Sequence, residues 1–345
     1  MVIFKTFSCF SDARVIKTLR CLNLERSDVL FSGGKTCKDP NSFFVEGVIY
    51  NSVERINKFS FIKIAWLDFR RMILSRKGDV IYIVNEQMAF LLFPMILFWK
   101  LRKVKVVLDL YDSLLLIYGS RLVVKLFCYS LYSLVDLIIV TDERRKILTS
   151  SIVNEKKIKV IENYPFHVKR PFVEKDNVIV NLFFSGSLHE TRGWSFIKQF
   201  ANVYPFRVYL AGWNNLDDKD FILPDNFINL GLLNQDETLI FMNNIIHWVF
   251  CLYEPINDNN INASPNKIFD AIHTNCGVII NSELSVSNFV DENNLGLVIN
   301  DYYDSIDNYK NYLISAKNNF VYSDELKSFY SFNQYEDYYK KLIVF

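Results

Sequence analysis

The chain holds 345 residues, 50% of them hydrophobic and 22% charged, with a formal net charge of +1 at pH 7. That is ample material for a buried core, no low-complexity tract interrupts it, and the length favours two domains. The six cysteines, at 9, 21, 37, 128, 251 and 276, form no C-x-x-C pair and the four histidines no H-E-x-x-H, which excludes the common metal motifs and fits a reduced, cytoplasmic protein.

Charge is divided unevenly. Residues 1–170 carry 28 Lys and Arg against 16 Asp and Glu, a balance of +12, whereas 171–345 carry 11 against 22, a balance of −11. Halves of opposite sign point to two domains with different surroundings, the basic one suited to an anionic membrane surface or simply to solvent. No aromatic-interleaved basic motif accompanies the excess, so nucleic acid is not expected as a partner.

In chain order, residues 1–7 are too short for a signal peptide, and 2–4 read as a first strand. A helix is expected over 12–23, a strand over 29–31, a helix around 61–75 and a strand over 80–84. The longest apolar run, 88–99, falls short of the roughly 20 residues that span a bilayer. It reads either as a core helix or as an interfacial anchor flanked by Lys100, Arg102, Lys103 and Lys105. Strand candidates at 104–108 and 137–140 bracket a helical stretch at 121–134. This alternation predicts a doubly wound parallel sheet. It closes near 160–165, with a linker up to 177.

The second half restarts the pattern. Strands are expected at 178–184, 207–211, 228–230 and 248–252, helices at 193–202 and 236–243, and a final helix at 335–342. No G-x-G-x-x-G follows the first strand, which argues against a dinucleotide-dependent dehydrogenase. Ser185-Gly186-Ser187 reads as a turn between strand and helix, with Arg192-Gly193 at the helix start. Glycine admits close backbone approach, loop amides attract an anion, and Arg192 can neutralise it, which is the chemistry of a phosphate loop. His189 in this loop is either a ligand contact or an exposed histidine, while His247 and His273 read as structural.

Residues 263–281 carry the most information. Ser264 reads as an N-cap and Pro265 as the first helical residue, since proline lacks only a donor that a helix start leaves unpaired. Ile268, Ala271 and Ile272 make the buried stripe, with Lys267 and Asp270 on another face. Asn275-Cys276-Gly277 ends the helix, and 278–280 is a short apolar run suited to a buried parallel strand. Helix amides, a lysine in the first turn and a carboxylate one turn later make a candidate nucleotide site.

Pro265-Asn266-Lys267-Ile268-Phe269-Asp270-Ala271 resembles the sugar-nucleotide element of the GT-B glycosyltransferases, specifically glycosyltransferase family 4, in its P-N-K-hydrophobic-F-E-Y variant. Residues 184–193 resemble the family's G-R/S-L-x-x-x-K/R-G segment. Leu210-Ala211-Gly212, Asn229-Leu230-Gly231 and the V-x-x-x-x-x-G of 290–296 extend the similarity over roughly the whole chain, though only the blocks at 184–193 and 264–277 are specific. The resemblance implies an α/β chain of GT-B type: two Rossmann-like, doubly wound domains facing across a cleft. An acceptor-side domain is expected at 1–170, a nucleotide-sugar domain at 171–330 and a crossover helix at 331–345.

The same resemblance implies donor contacts by Gly186, Ser187, Arg192, Asn266, Lys267 and Asp270, with Asp270 on the ribose hydroxyls and Arg192 on the diphosphate. Asn262 stands where the family often has a second acid near the transferred sugar, and Ser187 where many members have arginine. Lys267 is the candidate substitute for that missing clamp. Asp112, at a strand end, is expected as a catalytic or acceptor-binding residue, or else as a turn cap. Glu254, in an Asn-rich loop, is the second catalytic candidate. Asp12 and Arg14 resemble a D-x-R in the first loop and are expected on the acceptor side, or else as an N-cap and a surface charge.

The implied function is transfer of a sugar from a nucleoside diphosphate sugar, as co-substrate and with neither cofactor nor metal, to an acceptor hydroxyl, with retention. The basic half and the apolar run extend this to a lipid-linked glycan acceptor in capsule or O-antigen synthesis, handled in the cytoplasm at the inner face of the plasma membrane. The rivals are an inactive nucleotide-sugar-binding partner protein and a GT-B sugar-nucleotide epimerase.

Overall fold

The computed structural model describes residues 2–6, 13–22, 29–33, 48–52, 73, 75–111, 113–119, 121–171, 173–214 and 223–343. The chain divides into two compact units, Met1–Asn163 with Phe332–Phe345, and Tyr164–Ser331. Each is built on one parallel sheet. Most of the helix expected around 61–75 lies outside the described residues.

The first sheet contains β1 (Val2–Thr6), β2 (Val29–Gly33), β3 (Val48–Ser52), β4 (Val80–Val84), β5 (Lys105–Leu110), β6 (Leu137–Val140) and β7 (Ile158–Val160). Their order is β3-β2-β1-β4-β5-β6-β7, every neighbouring pair parallel. The central strands explain why: all of β4 and all of β5 beyond Lys105 are buried, and strands covered on both faces read as unbroken apolar runs. Around the sheet, α1 (Ala13–Leu22) buries Val15, Ile16 and Leu19. The apolar run forms two helices, α2 (Asn85–Leu91) and α3 (Phe93–Leu101), because Pro94 has no amide to continue the ladder and belongs at a helix start. Met88, Leu92, Ile96 and Trp99 turn inward, and α4 (Leu122–Leu134) adds Cys128, Leu131 and Tyr132 to the same core.

A polar network runs through this apolar unit. Arg14, on α1, is 1% exposed. Its Nε and Nη2 donate to the two Asp109 carboxylate oxygens at 3.2 and 2.9 Å, and Nη1 donates to the Ile161 carbonyl at 2.7 Å. Tyr82 donates to Asp109 Oδ2 at 2.5 Å, and its hydroxyl lies 3.5 Å from that of Tyr339 on the terminal helix Glu336–Ile343. Thr18 donates to the Tyr339 hydroxyl at 3.4 Å, and Lys17 donates to the Asn163 carbonyl at 3.2 Å while lying over the Phe332 ring. Burial opposes the Arg14 charge, but Asp109, Tyr339 and Tyr111 together outweigh it, so the guanidinium is held charged more firmly than an ordinary arginine.

The second sheet contains β8 (Val180–Leu188), β9 (Phe206–Asn214), β10 (Phe227–Gly231), β11 (Trp248–Phe250), β12 (Gly277–Asn281) and β13 (Gly296–Ile299), in the order β10-β9-β8-β11-β12-β13, again all parallel. Side chains alternate across it with period two. Leu182, Phe184, Trp248 and Phe250 join Trp194 and Phe200 on one face, whereas Phe183 and Val249 join Met242, Ile268 and Ile272 on the other.

Two helices on that second face position the functional residues. α5 (Gln235–Ile245) opens with a capping box between Asn234 and Glu237. α6 (Asn266–Thr274) starts one residue later than the sequence implies: Pro265 occupies the cap position with ψ 117°, and no side chain caps the helix, so Ser264 is not the cap. Its expected stripe of Ile268, Ala271 and Ile272 is fully buried. Asn275 ends it in the left-handed conformation, φ 54°, which asparagine tolerates.

Removing one partner of the Arg14–Asp109 pair strands a buried charge. Arg14→Met should cost roughly 3–5 kcal/mol in urea unfolding, and adding Asp109→Leu should recover much of that loss. A single variant no less stable than the double would remove the pair from its structural role.

Candidate functional site

β8 and β11 are neighbours where the order of the second sheet reverses, and open α/β sheets bind ligands outside the carboxyl ends of strands at such a point. β8 continues through Leu188, so 185–187 are strand, paired with 211–213 of β9, and the turn begins only at His189. Gly186 and Gly212 face each other in register with φ of 109° and 136°. A Cβ on Gly212 would lie 1.8 Å from the Gly186 carbonyl oxygen, so no other residue fits there. Beside Gly186 the space is open, with nothing within 4 Å of where a Cβ would stand. Its backbone is accessible to an occupant.

The turn at 189–193 is held from three directions. His189 caps a short 3-10 helix, Glu190–Arg192, its Nδ1 accepting from the Thr191 amide at 3.2 Å. Tyr302, buried, accepts from the Gly193 amide at 2.7 Å and donates to the Glu190 carbonyl at 2.5 Å. Burial pushes the Tyr302 phenol up to about 12, so it remains a donor at neutral pH. From the far side, the Glu254 amide donates to the Thr191 carbonyl at 3.0 Å. Gly193, at φ 89°, packs so closely on Leu252 that a Cβ would fall 2.6 Å from that side chain.

This scaffold presents two cations. Asn281 fixes the Tyr253 backbone, Oδ1 accepting from its amide and Nδ2 donating to its carbonyl, each at 3.1 Å. The Tyr253 ring then carries the Arg192 guanidinium 4.3 Å from its centroid. On α6, Lys267 Nζ stands 4.2 Å from the centroid of the Phe184 ring. Burial pushes the Lys267 ammonium down to about 8; Cys251 and Asp270 oppose the fall, and the like charge of Arg192 adds to it. Neither cation forms an ion pair among the described residues. Two neighbouring, half-buried cations without a carboxylate partner favour a polyanionic ligand.

One turn further along α6, Asp270 is buried, with Oδ1 accepting from Gln235 Nε2 at 2.8 Å. Asn266 is the first residue of the same helix. The Glu254 carboxylate accepts from the Tyr303 hydroxyl. Asn262 is held internally, donating to the Asp258 carbonyl at 2.7 Å and accepting from Ser285 at 2.6 Å.

Compared with solved structures, the chain is similar to the Anabaena protein Alr3699/HepE in complex with UDP-glucose, with a TM-score of 0.66, 12% identity and 99% of both chains covered. It is similar to the apo form of the lipopolysaccharide outer core galactosyltransferase WaaB, with a TM-score of 0.58, 11% identity and coverage of 99% of this chain and 100% of that one. An alpha,alpha-trehalose-phosphate synthase (UDP-forming) from Burkholderia vietnamiensis gives 0.60, 9%, 99% and 98%. The chain has the GT-B fold. No family model matches the sequence, and no curated protein matches it.

Within this GT-B chain, Gly186, Arg192, Glu254, Asn266, Lys267 and Asp270 all belong to the second unit, on β8, the two loops at the strand ends and α6. Ser187 is a strand residue there. In the first unit Arg14 is an interior residue whose guanidinium is bound by Asp109 and the Ile161 carbonyl, which overturns the alternative reading of a surface charge. Asp12 and Asp112 lie outside the described residues. Tyr302, Tyr253, Asn281 and Gln235 escaped the sequence reading, and no motif marks them.

Affinity for inorganic pyrophosphate should fall roughly tenfold as pH rises through about 8, because a charge-assisted bond contributes on the order of 1.5–3 kcal/mol and Lys267 loses its proton there. Calorimetric titration with Lys267→Met should show the weaker affinity at every pH and no such step. A step that survives in the variant would belong to another group.

Proposed function

We propose that the protein is a GT-B glycosyltransferase that moves a sugar from a nucleoside diphosphate sugar to an acceptor hydroxyl. The observation that carries this is the pairing of Arg192 and Lys267 at the strand-end edge of the second sheet, one helical turn from the carboxylate of Asp270. In this reading the two cations hold the diphosphate beside the open backbone at Gly186. Asp270, oriented by Gln235, accepts from the ribose hydroxyls, and Asn266 and Ser187 complete the donor contacts. Support for uridine as the base comes from the neighbours, one solved with UDP-glucose and one described as UDP-forming.

The bond between the anomeric carbon and the β-phosphate oxygen breaks, the acceptor oxygen bonds to that carbon, and the acceptor proton passes to the departing diphosphate. Negative charge grows on the leaving oxygen during this step, so cations already in place there favour the transition state over the bound donor. No metal or cofactor is assigned, the two basic side chains supplying the neutralisation. Holding donor and acceptor together supplies the remainder of the rate. Glu254, whose loop is bonded to the phosphate turn, is assigned to the sugar side of the donor.

The finer assignments in this proposal are a family 4-like enzyme, retention at the anomeric carbon, and a lipid-linked glycan acceptor in capsule or O-antigen synthesis. They place the protein in the cytoplasm, peripheral to the inner face of the plasma membrane. They rest on the motif resemblance and on the balance of +12 in residues 1–170. One observation favours a second reading, an inactive nucleotide-sugar binder: Asn262, where an acid is common, is committed to Asp258 and Ser285.

Thermal unfolding with UDP, GDP and CDP, free and sugar-linked, tests the site. A bound nucleotide at about 100 times its dissociation constant should stabilise the fold by roughly 2.7 kcal/mol, and Asp270→Ala should abolish the shift. Release of nucleoside diphosphate from the stabilising sugar nucleotide in the presence of extracted lipid-linked glycans then separates the readings. Binding without release favours the inactive binder, and no shift with any nucleotide would overturn both.

A further inference from the structure

One face of the first unit is apolar and turned outward. On α2 and α3, Phe90 is 64% exposed and Leu101 84%, with Leu97 exposed between them. On α4, Leu122 and Val123 are 71% and 78% exposed, and Leu126 shares the face of Leu122. The rings of Phe90 and Phe127 meet edge-on at 5.3 Å, which joins α2 to α4. The opposite sides of these helices fill the core, through Met88, Ile96 and Trp99 on α2 and α3 and through Cys128 and Leu131 on α4. Helices apolar all round are normally enclosed; these are enclosed on one side only.

The charges around the patch are mostly basic, and the one carboxylate just beyond α4, Asp136, is paired with Lys100. Lys125 is exposed on α4 between Leu122 and Leu126, Arg121 precedes that helix, and exposed Arg102 and Lys103 follow Leu101. Between residues 85 and 135 the described carboxylates are Glu86 and Asp109, and both are fully buried. A second copy of the chain seated on this face would bring cations against cations. A surface that offers an apolar layer under negative headgroups matches both properties, with the long basic side chains extending to the phosphates. No helix among the described residues is long and apolar enough to cross a membrane.

We propose that the patch formed by α2, α3 and α4 docks the protein on an anionic lipid bilayer, with Phe90, Leu97, Leu101, Leu122 and Leu126 entering the interface and Lys103, Arg121 and Lys125 on the headgroups. The inference names the surface behind the membrane-proximal part of the proposed function. It does not depend on the donor chemistry.

The test is co-sedimentation of the full chain with vesicles of phosphatidylcholine alone and of phosphatidylcholine containing about one third phosphatidylglycerol. Binding is expected to the anionic vesicles only, to weaken as salt rises, and to fall at least tenfold in Leu101→Asp/Leu122→Asp and in Lys103→Glu/Lys125→Glu. Both pairs are exposed, so circular dichroism and the nucleotide-induced thermal shift should match the wild type. No sedimentation at low salt overturns the proposal, and so does equal sedimentation of wild type and variants. A dimer in analytical ultracentrifugation that Leu101→Asp/Leu122→Asp abolishes, without vesicle binding, reassigns the face to a second copy. Loss of nucleotide response with vesicle binding intact counts against the donor site and leaves the docking face standing.

Discussion

A charged pair inside an apolar unit is tolerable only when its hydrogen bonds are satisfied, and the Arg14–Asp109 pair meets that condition by drawing several elements of the first unit together. The guanidinium spends its donors on both carboxylate oxygens and on the carbonyl just beyond β7. The carboxylate accepts in addition from Tyr82 on β4, whose hydroxyl neighbours Tyr339 on the terminal helix. One ion pair therefore fixes α1 against β5, the end of the sheet against α1, and the last helix against both. A hydrophobic cluster of the same volume is indifferent to small slips, whereas these directional bonds admit one arrangement. The ends of the chain, more than 300 residues apart, acquire a specific fit in this way.

The second unit treats its cations in the opposite manner. Arg192 and Lys267 rest on aromatic rings and no described carboxylate pairs with either, so their charge stays available. Burial penalises the Lys267 charge and the neighbouring Arg192 repels it, and a lowered proton affinity is the visible cost. Rigid support keeps them together: Asn281 holds Tyr253, Tyr302 holds the turn, and Gly212 lets β9 approach β8 without a side chain between them. Residues 171–345 carry a balance of −11, so attraction for a polyanion cannot come from the general field of this half. It has to be local, from two side chains and a helix end.

Local patterns were legible in the sequence and distant partners were not. β4, β6 and β12 announce themselves because a strand buried on both faces is a run of Val, Ile, Leu and Tyr. β3 and β7 escaped: the first ends in Asn-Ser at the sheet edge, and the second is three residues long with Lys159 exposed. Lys267 and Asp270 were readable because helical spacing sets their relation, and Arg192 because it follows glycine-bearing strand residues. Ser185-Gly186-Ser187 was misread as a turn, since only the pairing of Gly186 with Gly212 reveals a strand that tolerates positive φ. The burial of Arg14, for which a surface charge was the alternative reading, was not legible because its partner lies 95 residues away.

The apolar run that the sequence left between core helix and interfacial anchor need not be one or the other. A helix has two sides, and α3 puts Ile96 and Trp99 into the core while Leu97 and Leu101 face outward. A soluble surface at this place calls for glutamate or lysine in the outward positions, at no cost to the core. Leucine there is a standing liability for aggregation unless something covers it. The same stretch lacks an exposed carboxylate among its described residues while basic residues ring it, a bias that core packing does not require. A helix selected only to close the hydrophobic core has no reason to be apolar on its far side and cationic at its edges; a helix that also meets a negative, apolar-cored surface has reason for both.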